Sequence, residues 1–149
     1  MVTSRPGKPR LFIDTDVLIA GSASPNEHSA SLVLLRMAEI TLIEAITSQQ
    51  VVAECGRNLA EKMPAALPAF QLLLQKCLTV VPDPTADELK PNEGRADLKN
   101  SPLLVAAARE QCSFLTTFNI HHYEPGLPGV LVLRPGELVM RVRQQLANL

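Results

Sequence analysis

Aromatic residues are scarce in this chain: there is no Trp, one Tyr and four Phe in 149 residues. An interior without many rings must be aliphatic, and a hydrophobic fraction of 46% supplies one packed core. The scarcity also argues against a surface of stacked aromatic platforms for single-stranded nucleic acid. Neither sign of charge is in excess. The net charge is −1, so binding to a polyanion would need a local basic patch or a partner subunit. Cysteine is limited to Cys55, Cys77 and Cys112, with no CxxC pair to suggest zinc. Their flanks predict buried free thiols, in keeping with a reducing, cytoplasmic compartment. No apolar run approaches the roughly 20 residues of a membrane span. Residues 1–9 are polar with Pro and Gly, lack the apolar stretch of a signal peptide, and are expected to be flexible. Neither GxGxxG nor GxxxxGK[ST] occurs, which excludes the common nucleotide-phosphate loops.

Pro and Gly instead divide the chain into alternating apolar and helical segments. Leu11 to Ile13 reads as a buried strand, its apolar character flowing on through Val17, Leu18 and Ile19. A helix is expected from Pro25 to Met37, and a strand over Ile40 to Ile46. Thr47 and Gln50 have the spacing of a capping box, opening a helix that runs to about Met63. Pro64 to Cys77 is the next helix and Leu78 to Val81 a short strand. The polar stretch from Asp83 to Lys99 reads as loop with a short helix. Ser101-Pro102 opens a helix to about Cys112. Ser113 to Thr116 and Val130 to Leu133 are the last strands, and Pro135 begins a terminal helix. This alternation predicts one α/β domain over residues 1–149, three layers (α/β/α) around a central parallel sheet of about five strands.

Polar residues gather where those strands end. Asp14 and Asp16 follow the first strand, and ligands of open α/β sheets sit beyond the carboxyl ends of strands. Two carboxylates at about 4 Å repel by roughly 4 kcal/mol at an effective dielectric near 20. A hard cation with oxygen ligands, Mg²⁺ or Mn²⁺, relieves that repulsion, although Asp and Thr here could equally cap a helix. Glu54 lies at the edge of the stripe formed by Val51, Val52, Cys55 and Leu59, beside Asn58. From there it leans over the sheet or pairs with Arg57 in solvent. The run from Arg95 to Pro102 precedes a helix, and Thr116-Thr117-Phe118-Asn119 closes a strand. Their ordinary alternatives are a helix cap and a turn. His28 and the adjacent His121 and His122 have no Cys nearby and read as surface or structural residues.

Four segments, in this order, resemble the PIN-domain family of metal-dependent ribonucleases, which includes the VapC-type toxins of toxin–antitoxin pairs. Phe12-Ile13-Asp14-Thr15-Asp16-Val17-Leu18 is similar to the family's opening strand, and Ser48 to Glu54 to the helix bearing its second acid. Asn100-Ser101-Pro102-Leu103-Leu104-Val105-Ala106-Ala107-Ala108 is similar to its third-acid helix, and Leu115-Thr116-Thr117-Phe118-Asn119 to its closing strand end. The resemblance implies a Mg²⁺- or Mn²⁺-dependent endoribonuclease, the toxin of a type II pair. Its catalytic residues would be Asp14, Glu54, Asp97 and Asn119, with Asp14, Glu54 and Asp97 on the metal. Asp16, Asn100 and Thr117 would stand behind them and position water and carboxylates. Asn100 occupies the place of the family's third acid, with Asp97 three residues earlier as its substitute. Arg57, Arg95 and Lys99 lie near the acids in sequence and would meet RNA phosphates. RNA, an antitoxin protein and a second copy in a homodimer are the implied partners.

Two rival readings remain. A degenerate PIN domain would bind RNA or a protein without cutting, as the Asn at position 100 suggests. A haloacid-dehalogenase-like phosphatase would use Asp14-x-Asp16 as nucleophile and acid, but it needs a late acidic pair, and Thr116 to Glu124 contains no Asp.

Overall fold

Leu11, Phe12 and Ile13 are each 0% exposed, as a strand covered on both faces requires. They belong to β1 (Arg10–Ile13) of a computed structural model that describes residues 8–23, 26 and 29–148. The chain leaves β1 at Asp14 and enters α1 (Thr15–Ala23) at once. The apolar run at Val17 and Leu18 is therefore helical rather than a continuation of the strand. The Asp14 carbonyl accepts from Leu18 N at 3.2 Å, which closes the first turn. Gly21 lets α1 lie close to α2 (Ala30–Glu39), since a Cβ there would fall 2.6 Å from Leu35 Cδ1. Ser29 caps α2 through Leu32 N. The helix start expected at Pro25, and the reading of His28, lie outside the described residues.

The second strand begins later than expected. Ile40 caps α2, Thr41 turns the chain with a φ of 66°, and β2 is Glu44–Ser48. Ser48, not Thr47, caps α3 (Gln49–Lys62), accepting from Val51 N. Thr47 Oγ1 is spent instead on the Ile13 carbonyl at 3.0 Å. A 3-10 turn at Pro64–Ala66 leads into α4 (Leu67–Cys77), and then come β3 (Leu78–Val81) and a short α5 (Ala86–Leu89). The remaining elements are α6 (Ser101–Arg109), β4 (Phe114–Thr116), β5 (Leu131–Leu133) and α7 (Pro135–Ala147).

The five strands form one sheet in the order β3-β2-β1-β4-β5, and every pairing is parallel. Helices α1, α2, α3, α4 and α7 pack in one connected group, while α5 packs on α6, which lies against β2 and β4. This is the expected three-layer architecture. Chain order runs outward from β1 through β2 to β3, then resumes on the other side of β1 with β4. The gap between β1 and β4 is thus the topological switch point, where such sheets bind ligands.

The core is mainly aliphatic. Four of the five aromatics (Phe12, Phe70, Phe114 and Tyr123) are buried within it, and Phe118 alone is exposed. All three cysteines are buried and unpaired. Burial pushes the thiols of Cys55 and Cys112 up to about 12, reinforced at Cys55 by the Asp14, Glu54 and Asp16 charges and opposed at Cys112 by Arg10, so they pack rather than react. Among the described residues, no helix is long and apolar enough to cross a membrane.

Candidate functional site

Strands β1, β2 and β4 end at a cavity of about 250 Å³ on the carboxyl edge of the sheet. Its acids are Asp14, Asp16 and Glu54, its amides Gln50, Asn100 and Asn119, and its basic residues Lys99 and His122; Thr15, Ile19 and Leu103 complete the wall. Each acid arrives by a different local device. Asp14 is the first residue after β1, and its amide still belongs to the sheet, donating to the Thr116 carbonyl of β4 at 3.1 Å. Asp16 rides the first turn of α1, where the helix dipole favours a negative charge. Glu54 lies one turn and a half along α3 and accepts from Thr15 Oγ1 at 3.1 Å.

Asp14 is 7% exposed and held on both oxygens. Oδ1 accepts from Thr15 N at 2.6 Å. Oδ2 accepts from Thr117 Oγ1 at 2.8 Å and from the Tyr123 hydroxyl at 2.9 Å. Asp16 is held on one oxygen only. Its Oδ2 accepts from Phe118 N at 3.0 Å and Asn119 Nδ2 at 3.3 Å, with Thr117 Oγ1 at 3.4 Å, while its Oδ1 is buried without a partner. Burial first, and the Asp14 charge second, push the Asp16 carboxyl up to about 6, against the pull of the Phe118 and Val17 amides and the Thr117 hydroxyl. Tyr123 is driven upward in the same way, by burial and then by Asp14, so its hydroxyl keeps its proton.

This donor set suits a small hard cation. It is made of oxygens and amides, with a carboxylate pair whose mutual repulsion and one orphaned buried oxygen call for a positive charge. Among the described residues, no group of three His, Cys, Asp or Glu side chains is arranged to hold a metal by itself. That count does not conflict with Mg²⁺-type binding, which typically uses one or two carboxylates and leaves the other positions to water and phosphate.

Of the residues singled out in the sequence, Asp14, Asp16, Glu54, Lys99, Asn100 and Asn119 line the cavity, and Thr117 is buried behind it on Asp14. Asp97 does not line it. Its backbone forms the turn before α6, donating to the His122 carbonyl and accepting from Asn100 N and Ser101 N, and the residue is exposed. Arg57 is exposed on α3 and outside the cavity. Arg95 is half-buried, its Nε without a partner, and also outside. Gln50, His122 and Tyr123 belong to the site as well, the first two in the cavity wall and Tyr123 on Asp14, although the sequence pattern marks none of them for it. The one available signal for Tyr123 was that it is the only Tyr in a chain poor in rings.

Fold and pocket together define an α/β domain with a carboxylate site at the switch point of a parallel sheet. The PIN domain family model matches residues 10–121, and the chain belongs to that family. The dehalogenase-like alternative falls with that match. No curated protein matches the sequence. Among solved structures, VapBC2 from Rickettsia felis, bound to a DNA fragment from their promoter, is similar at 14% identity and a TM-score of 0.60, covering 84% of this chain and 98% of that one. PAE2754 from Pyrobaculum aerophilum is similar at 15% identity and a TM-score of 0.65, covering 95% and 99%. At such identities the likeness is one of fold.

Proposed function

We propose that this chain is a divalent-cation-dependent endoribonuclease that hydrolyses phosphodiester bonds of RNA, acting in the cytoplasm as the toxin partner of a small antitoxin. PIN domains are in general nucleases, and the Rickettsia felis neighbour is VapBC2 bound to a DNA fragment from their promoter, which supports an antitoxin partner for this chain. The observation that carries the reading is the Asp14–Asp16 pair lining the switch-point cavity, with the buried, unpartnered Oδ1 of Asp16.

Asp14 and Asp16 would hold Mg²⁺ or Mn²⁺, with Glu54 and the amide oxygen of Asn119 beside them. This revises the ligand set expected from the sequence, with Asp16 in place of Asp97. When bound, the cation supplies a Lewis acid for the phosphate and relieves charge on the leaving oxygen. The protein does the rest. Thr15 and Thr117 fix the carboxylates through hydrogen bonds, and Glu54 is the carboxylate available to take a proton from an attacking water. Lys99 and His122 bring positive charge or donors to the substrate phosphate. Arg57 and Arg95, being outside the cavity, would act only on more distant phosphates.

One observation favours a second reading, binding without cleavage: the cavity has Asn100 where a further acid would strengthen cation binding. Purified protein and structured RNA decide between the two. The expected result is Mn²⁺-dependent cutting that stops with chelator and falls at least 100-fold in Asp14→Asn. Tight RNA binding with no cutting at millimolar Mn²⁺ would establish the second reading.

A further inference from the structure

Asp14 is served by a chain of side chains that begins at a neutral amide. Asn100 Nδ2 donates to the Tyr123 hydroxyl at 3.3 Å, and that hydroxyl donates to Asp14 Oδ2 at 2.9 Å. Direction matters in this chain. A hydroxyl has one proton and can accept as well as donate, whereas the amide NH₂ only donates. With Asn100 giving a proton to the phenol oxygen, the single phenol proton is left for Asp14. The ring cannot swing away to choose another partner, because Tyr123 is 2% exposed and anchored in the Ile120–Tyr123 turn.

Thr117 Oγ1 lies 2.8 Å from Asp14 Oδ2 and 3.4 Å from Asp16 Oδ2, so its single proton goes to the shorter contact on Asp14, where it converges with the Tyr123 proton on one carboxylate oxygen. A carboxylate oxygen has about two lone-pair sites, and those of Oδ2 are filled. Oδ1 takes only Thr15 N. The capacity left on Asp14 therefore lies on Oδ1. We propose that Asn100 and Tyr123 form a directed relay that ties down Asp14 Oδ2 and reserves Oδ1 for the cation, which makes Tyr123 a positioning residue of the site. The inference rests on the reading of Asp14 as a cation ligand. It goes beyond that reading by assigning work to Tyr123 and by giving Asn100 the task of orienting a proton instead of binding the ion.

Calorimetric titration of the full chain with Mn²⁺ tests the relay in wild type, Tyr123→Phe, Asn100→Leu and the double variant, each checked for folding by circular dichroism. Tyr123→Phe should weaken Mn²⁺ affinity about tenfold, the lower end for removing a hydrogen bond behind a metal ligand. Asn100→Leu should weaken it less. The double variant should bind no more weakly than Tyr123→Phe, because without the hydroxyl the amide has nothing to orient. Wild-type affinity in Tyr123→Phe, or losses that simply add in the double variant, would overturn the relay. Should Tyr123→Phe not fold, Asn100→Leu decides, and unchanged affinity overturns the relay. A wild-type protein that takes up no Mn²⁺ overturns the cation reading instead. The hydrogen-bond chain is then judged in metal-free protein by urea unfolding of Tyr123→Phe, Asp14→Asn and their combination. Non-additive midpoints support it and additive midpoints overturn it.

Discussion

Asp16 carries its charge in a place that opposes it. Its carboxyl is pushed up to about 6 by burial and by Asp14, above its ordinary 3.8. The folded chain therefore holds the proton more tightly than the unfolded chain does. For a group raised in this way, the stability it contributes is fully present below about pH 4 and is lost as pH rises through about 6. The unfolding midpoint of metal-free protein should fall across that window. Asp16→Asn should flatten the fall and raise the midpoint at pH 7 by about 2–4 °C, what roughly 1 kcal/mol gives in a chain of this size after discounting for partial exposure. Thermal melts at several pH values check this, and a lower midpoint for Asp16→Asn at pH 7 would contradict it. Asp14, Asp16 and Glu54 were all visible in the sequence, because acids at predicted strand ends and helix edges stand out. The rank of Asp16 was not visible. It depends on which oxygen the Phe118 amide and Asn119 happen to occupy, and those residues lie more than 100 positions away.

At the scale of elements, the position of Glu54 depends on how α3 begins. The helix starts at Gln49 with Ser48 accepting from Val51 N, and Asp83, arriving after β3, accepts from Gln50 N at 2.8 Å. This remote carboxylate does part of what a capping residue does and adds a favourable charge at the helix N-terminus. Asp83→Ala should cost about 1 kcal/mol, measured as a lower urea midpoint with unchanged slope. An unchanged midpoint would remove Asp83 from the account. The spacing of Thr47 and Gln50 fits a capping box, but Thr47 still belongs to β2, where its hydroxyl donates to the Ile13 carbonyl. The alternation of strands and helices was legible because each strand is a short apolar run closed by a Pro or polar turn. Helix α1 was not, because its apolar residues directly extend those of β1 and only the turn at Asp14 separates the two. Asp97 lies three residues before Asn100, but it is exposed and outside the cavity that Asn100 lines.

At the scale of the whole molecule, a net charge of −1 and a cavity with only Lys99 and His122 as basic residues limit electrostatic grip on RNA. Each phosphate contact on a single strand contributes a slope of about −0.7 to the log–log dependence of affinity on salt. With about two such contacts, the isolated chain in chelator should bind short single-stranded RNA weakly, with a slope no steeper than about −1.5. Fluorescence anisotropy across salt concentrations measures it, and a slope of about −3 or steeper would mean a basic surface beyond the cavity. Family and architecture bring together Asp14 from β1, Glu54 from α3 and Asn119 from beyond β4 at one sheet edge, which no single stretch of sequence could specify. On the function proposed here, this edge holds a divalent cation through Asp14 and Asp16. The most direct measurement is a Mn²⁺ titration followed by electron paramagnetic resonance, in which the signal of free Mn²⁺ disappears on binding. Wild type should remove Mn²⁺ from solution, and Asp14→Asn and Asp16→Asn should each weaken uptake at least tenfold. Uptake by both variants equal to that of wild type would contradict the claim.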